Sequence, residues 1–199
     1  MRRFHTLLAL PALLLAACGD PGSSAGAGRF SASLSGAVTA RYEGSGEFHT
    51  GTPGPGMQQF QITSLGGEAF AGQHFALTRW DGGRLRTGRH DIGLVDLTAY
   101  SRTGAQPRGI SFQYFRTTGS VEELYVAESG AVEITSSSGD RVAGTFTVTA
   151  FRYCIRDREL RDIGPCDYEM SRPTPDAPRI TVTGTFVATP FEPGEVIAL

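Results

Sequence analysis

Histidines His49, His74 and His90 lie 25 and 16 residues apart and are the only three beyond the first twenty positions. Imidazole is the commonest metal ligand and the one side chain that ordinarily changes charge near neutral pH. Local zinc motifs, however, place their ligands within a few residues of one another. These spacings match none, so the three histidines read as polar-face or strand-end residues and no metal is expected. Asp91 with Asp96, and the adjacent Glu122 and Glu123, are the carboxylates placed for acid–base chemistry. A glycosidase needs two such groups about 5–10 Å apart across a cleft. Adjacent residues of a strand point to opposite faces, so Glu122 and Glu123 read as solvated charges on a turn. The chain holds no G-x-S-x-G, H-E-x-x-H or C-x-x-C pattern, no phosphate-binding loop and no calcium loop. Neither an enzyme nor a cofactor is expected.

Binding chemistry has better candidates. Thr145, Thr147, Thr149, Phe151 and Tyr153 occupy alternate positions, opposite in parity to Val142, Gly144, Phe146 and Val148. Facing outward, the first set makes a threonine-rich surface ending in two rings, and rings stack well on the C–H face of a sugar. In the alternative, the loop 154–178 folds over both rings as a second small core. Trp80, beside Asp81 at the mouth of an expected hairpin, has the same two readings. Phe151, Tyr153 and Trp80 are therefore the candidate binding residues, with an envelope protein or polysaccharide as the partner.

The N-terminal residues suggest where such a partner would be met. Arg2 and Arg3 precede the apolar stretch Leu7 to Ala17, which Pro11 interrupts. Eleven helical residues span about 16 Å, well short of the roughly 30 Å hydrocarbon core of a bilayer. A charged start, a short apolar run and small residues at its end make a secretory signal. Leu15-Ala16-Ala17-Cys18 resembles the lipobox of bacterial lipoproteins. The resemblance implies cleavage before Cys18, a diacylglycerol thioether on its sulfur, and a lipid-anchored protein of the cell envelope. Gly19 follows the cysteine where that family's inner-membrane retention signal places an aspartate. In a cell with two membranes this implies the outer one, on its periplasmic or surface face. The expected organisation is a signal peptide over 1–17, a lipidated cysteine and Gly/Ser-rich tether over 18–29, and one domain over 30–199. A flexible tether of eleven residues reaches roughly 18 Å.

Composition narrows the partners further. The chain has 18 cationic residues against 20 acidic ones, a net charge of −2, and every cation is arginine. Without a basic run, nucleic acid is not an expected partner. Once lipid takes Cys18, Cys154 and Cys166 are the cysteines that remain, in a compartment where thiols oxidise. They bracket the charged stretch IRDRELRDIGP, and a disulfide between them would staple that loop at its base. In the chain-entropy account, a loop of this size gains roughly 3 kcal/mol from the crosslink.

Beyond Arg29 the apolar period is two. Leu34, Gly36, Val38, Ala40 and Tyr42 share one face of an expected strand. Further strands are expected near 57–65, 73–80, 89–99 and 109–117, with a hairpin turn at Asp81-Gly82-Gly83. Residues 130–151 form a second hairpin that turns at Ser136 to Asp140. The segment VAGTFTVTAF at 142–151 recurs as VTGTFVATPF at 182–191, which suggests two equivalent strands in one sheet system, with adjacency as one arrangement open to them. Val142, Phe146, Val148, Ile180, Val182 and Phe186 should share a core. The stretch SSSGDRVAGTF resembles a segment of small bacterial lipoproteins of unknown function and implies no activity. About nine or ten short strands separated by Gly/Pro turns make an all-β domain, with an antiparallel sandwich expected first and a closed or flattened barrel as its alternative. The leading functional expectation is a non-catalytic binding or interaction module on the envelope. The alternatives are a barrel with an interior site for a small apolar ligand, and a hydrolase without a sequence motif.

Overall fold

The computed structural model describes residues 28–52, 57–65, 72–95, 103–157 and 175–191. Within them the chain forms nine strands: β1 (Arg29–Gly36), β2 (Ala40–Gly51), β3 (Gln59–Leu65), β4 (Gln73–Arg79), β5 (Gly88–Gly93), β6 (Ile110–Thr118), β7 (Val121–Ser137), β8 (Val142–Asp157) and β9 (Arg179–Pro190). The domain is all-β, as its alternation requires. The sheet runs β7-β6-β4-β3-β2-β1-β9-β8, and β8 pairs back onto β7, so eight strands close into a barrel. The expected sandwich thus gives way to its alternative. Closure depends on β7, whose 17 residues pair with β8 on one edge and with β6, then β5, on the other. Three register shifts interrupt the β7–β8 ladder, at Leu124/Tyr125, Ala127/Ser129 and Ile134/Ser136, and bend the pair as β-bulges do.

Two local expectations are corrected. Residues 34–43 form the end of β1 and the start of β2, joined by a turn at 37–39. Gly36 adopts φ +99°, and Leu34 pairs with Ala40 across the turn. A three-residue connection preserves parity, so the alternation reads through it as one strand. Asp81-Gly82-Gly83 turns the chain without closing a hairpin: β4 pairs with β3 and β6, and β5 with β7. The hairpin of β7 and β8 forms as expected, its turn tied by the Ser138 N–H donating to the Arg141 carbonyl at 2.8 Å.

Inward-facing side chains fill the barrel. Rings pack in sequence from Phe186 to Phe146 (6.4 Å between centroids), Phe30 (5.5 Å), Phe75 (5.2 Å), Tyr114 (4.7 Å) and Tyr125 (5.8 Å). An eight-stranded barrel is about wide enough for side chains alone to occupy it. Val142, Phe146, Val148, Ile180, Val182 and Phe186 all lie buried in this core. The internal repeat has a packing reason. β8 and β9 are antiparallel neighbours in which Gly144 faces Phe186, Thr145 faces Thr185 and Phe146 faces Gly184. Each Gly-Thr-Phe segment thus lays its ring over the other's glycine. A Cβ on Gly184 would come within 2.5 Å of Phe146 Cζ and of the Ser31 carbonyl oxygen.

One end of the barrel is closed by the segment between β4 and β5. Leu85 is fully buried and belongs to the core. The Arg84 guanidinium lies 4.4 Å from the centre of the Phe48 ring. Arg79 and Asp81 pair through two hydrogen bonds at the start of this segment, the Nη2–Oδ2 bond at 2.8 Å. Gln106 holds it from outside, donating to the carbonyls of Gln58 and Trp80 and accepting from the Gln58 N–H. Gly28, where the described chain begins, lies at the same end. A Cβ there would meet the Gly46 carbonyl, and Gly46 is two residues from Phe48.

Candidate functional site

The outer wall of β1, β9 and β8 is a grid of hydroxyls. Register places Ser31, Thr185 and Thr145 in one row, Ser33, Thr183 and Thr147 in the next, and Ser35, Thr181 and Thr149 in the third. Ser129 of β7 extends the third row. Strand geometry spaces such neighbours about 4.8 Å across the sheet and roughly 6.7 Å along it. All ten side chains are exposed or half-exposed. An open groove of about 490 Å³ lies over the first two rows and is bordered on β2 by Arg41 and Glu43. Within the first row, Ser31 Oγ and Thr185 Oγ1 are 2.9 Å apart and hydrogen-bonded. Each hydroxyl can donate once and accept twice, so the grid suits an uncharged, hydroxyl-rich ligand held by many weak bonds. β-propensity explains threonine in strands, but serine has no such preference. Ser31, Ser33 and Ser35 are better explained by the hydroxyl than by the backbone.

The rings proposed from sequence lie apart from this grid. Phe151 and Tyr153 face outward from β8 but are buried in a satellite cluster with Val126, against which Leu94, Leu124 and Ala177 pack. This arrangement matches the second-core reading, with Ala177 supplied by the segment before β9. Trp80 is buried with Met57 and Val95, and its indole N–H donates to Ser111 Oγ at 2.9 Å. None of the three presents an open ring face for stacking.

The histidines sit on three strands with three different partners. His49 on β2 meets Phe191 edge-on at 6.3 Å. His74 on β4 stacks on Phe115 at 4.6 Å, and burial lowers its pKa from 6.5. His90 on β5 donates from Nε2 to the Arg86 carbonyl at 2.7 Å. Among the described residues, no three of His, Cys, Asp and Glu are grouped to hold a metal. Glu122 and Glu123 lie within β7, not on a turn. Glu123 is largely buried between Arg152 at 3.1 Å and Arg116 at 3.6 Å, a structural ion-pair cluster. Burial pushes the Tyr114 hydroxyl up to about 12, so it stays protonated and donates to Gln73 Oε1 at 2.9 Å. Asp91 is exposed on β5 beside Arg89. Asp96, Cys18 and Cys166 lie outside the described residues, as do the signal and almost all of the tether. Cys154 falls in β8 opposite Leu124, but its side chain is not among those described.

Neither a family model, nor a curated protein, nor a solved structure matches this chain. The grid rests on geometry alone. Sequence reasoning found its β8 column and missed the other two. The signal for both was present: T-x-T-x-T at 181–185 runs into the recurring segment, and S-x-S-x-S at 31–35 has the same period.

Proposed function

We propose that this chain is a non-catalytic binding module anchored to the cell envelope through Cys18, and that its hydroxyl-covered wall holds a surface polysaccharide. The in-register rows of serine and threonine across β1, β9 and β8 carry this reading. Two further features agree with it. The barrel interior is occupied by rings, which disfavours the alternative of an apolar ligand held inside. The polarity, apolar within and hydroxyl-rich on this wall, is the inverse of a lipid-spanning barrel with its outward apolar band. That polarity suits a barrel held beside a membrane by a tether at Gly28. Cys154 and Cys166, oxidised in the same compartment, would crosslink the loop before β9.

Retention of isolated envelope polysaccharides by the immobilised full chain tests the binding claim. Thr147→Lys and Thr183→Lys, both exposed in the middle row, should each reduce retention at least tenfold while the circular dichroism spectrum stays unchanged. Unaltered retention in both variants would remove the wall from consideration. Mass spectrometry of the native protein tests the anchor separately: the expected N-terminus is an acylated Cys18. Alkylation without reductant should leave Cys154 and Cys166 unlabelled.

A further inference from the structure

A second surface lies at the end of the barrel closed by the β4–β5 segment. An open cleft of about 1070 Å³ there is lined by Arg79, Arg84, Arg86 and Arg89, against the two carboxylates Asp81 and Asp91. This is a local surplus of positive charge on a chain whose net charge is −2. The four cations are not equivalent. Arg79 is committed to Asp81 through a bidentate pair. Arg89 reaches Asp91 only at 3.8 Å, and both side chains are largely in solvent. Arg84 and Arg86 have no carboxylate within ion-pair distance among the described residues. Arg84 is held rigidly by the Phe48 ring and by the Gly139 carbonyl, to which Nη2 donates at 3.3 Å. Its Nε is buried with no hydrogen-bond partner. Arg84 is thus fixed over a ring at the cleft wall, beyond ion-pair distance of the Asp140 carboxylate that also acts on it, and its terminal guanidinium nitrogens are the ones that can meet an anion there.

We propose that this cleft binds a phosphate ester, with Arg84, Arg86 and Arg89 as its cationic contacts. Guanidinium forks bind carboxylates and phosphates alike. One carboxylate presents two oxygens in a plane and matches one fork, whereas a tetrahedral phosphate can serve forks arriving from several directions. Arg84 and Arg86 come from the loop before β5 and Arg89 from β5 itself, so three separate forks line one cleft. The cleft is also far larger than a bare phosphate and has room for the headgroup or sugar that carries it. Its position at the end of the barrel where the described chain begins would turn it toward a membrane reached through the tether. The lipid source of the phosphate rests on the anchor reading; binding of a soluble phosphate ester does not.

Calorimetric titration of the full chain in non-ionic detergent tests this with three probes: inorganic phosphate, glycerol 3-phosphate, and micelles doped with phosphatidylglycerol. Saturable heat is expected with at least one, and the affinity should fall at least tenfold in the double variant Arg86→Gln/Arg89→Gln. Both side chains are exposed, so that variant keeps its fold where Arg84→Gln could lose it. Arg41→Gln, on the hydroxyl wall, should bind as the parent does. The emission of Trp80, the single tryptophan, adjoins the Arg79–Asp81 pair and should change in the same titration. Saturation by the soluble probes assigns a soluble phosphate ester, and a response confined to doped micelles assigns a lipid headgroup. No saturable heat with any probe, or a smaller loss in the double variant, overturns the site. Either result leaves polysaccharide retention by the wall untouched.

Discussion

The wall of β1, β9 and β8 and the end closed by residues 79–91 are built by opposite means. On the wall, each row of hydroxyls follows from period-two alternation and the register of adjacent strands. Inward and outward positions separate cleanly there, so Phe146 supports the fold and Thr147 faces solvent. The closed end draws on distant segments: Arg79 from the end of β4, Leu85 from a loop, Arg89 from β5 and Ser137 from the end of β7. There the two roles meet in consecutive residues, since Leu85 plugs the core while Arg84 caps it and lines the cleft. The proposed binding can be dissected on the wall without disturbing stability. At the end, only its exposed arginines allow the same.

The largest expected effect tests the wall's separation of faces. Phe146→Ala should lose roughly 3–5 kcal/mol in denaturant titration, because its ring contacts Phe30, Phe112 and Phe186. Thr147→Ala, one residue on, should stay within about 0.5 kcal/mol of the parent. Similar losses in both would mean that the faces do not separate. Leu85→Ala should cost about 2–5 kcal/mol, although Leu85 belongs to no strand. A cost below about 1 kcal/mol there would show that the loop does not plug the barrel. Gly184→Ala should cost about 1–3 kcal/mol by overpacking, since both the Ser31 carbonyl and the Phe146 ring stand where the methyl would go. Gly139→Ala, with open space around its Cβ position, is the control and should be close to neutral.

The same contrast explains what could be read from the sequence. Val142, Phe146, Val148, Ile180, Val182 and Phe186 were legible as core because alternation assigns a face without reference to any partner strand. The recurrence of Gly-Thr-Phe pointed to neighbouring strands, and the reciprocal ring-over-glycine packing is why it recurs. Closure was not legible, because a strand in a sandwich and one in a barrel show the same period; what differs is that β8 returns to β7. Leu85 was missed for a related reason. In GGRLRTGR it is a lone apolar residue without an alternating neighbour, and its burial is decided by a barrel end built from elsewhere. The glycines and Asp81 that suggested a hairpin do turn the chain, but a turn does not specify which strand the chain then joins. Phe151 and Tyr153 lie on the outer face, and their cover comes partly from Ala177, within the loop 154–178 that the sequence offered for it, and partly from Leu94, which is distant in sequence.

The smallest expected effect concerns the Arg79–Asp81 pair, which begins the closed end. The hydrogen bonds from Arg79 are the main reason that the Asp81 carboxyl titrates below its ordinary value of 3.8; the Gly83 N–H adds to the effect and burial opposes it. A carboxyl with a lower pKa in the folded state than in the unfolded one favours folding when ionised. That contribution is complete above the unfolded value and is lost as the pH falls from about 4 through the lower folded value. The Asp81 side chain is 41% exposed, so solvent screening should keep the contribution below about 1 kcal/mol. Denaturant titrations of the parent and of Asp81→Asn should therefore differ modestly at neutral pH and converge as the solution is acidified through the lowered folded-state value. Added salt should narrow the neutral-pH difference as well. A difference that stayed constant across the acid range would mean that the pair does not hold the segment through its charge. The turn would then depend on the Gln106 clamp and the Leu85 plug alone.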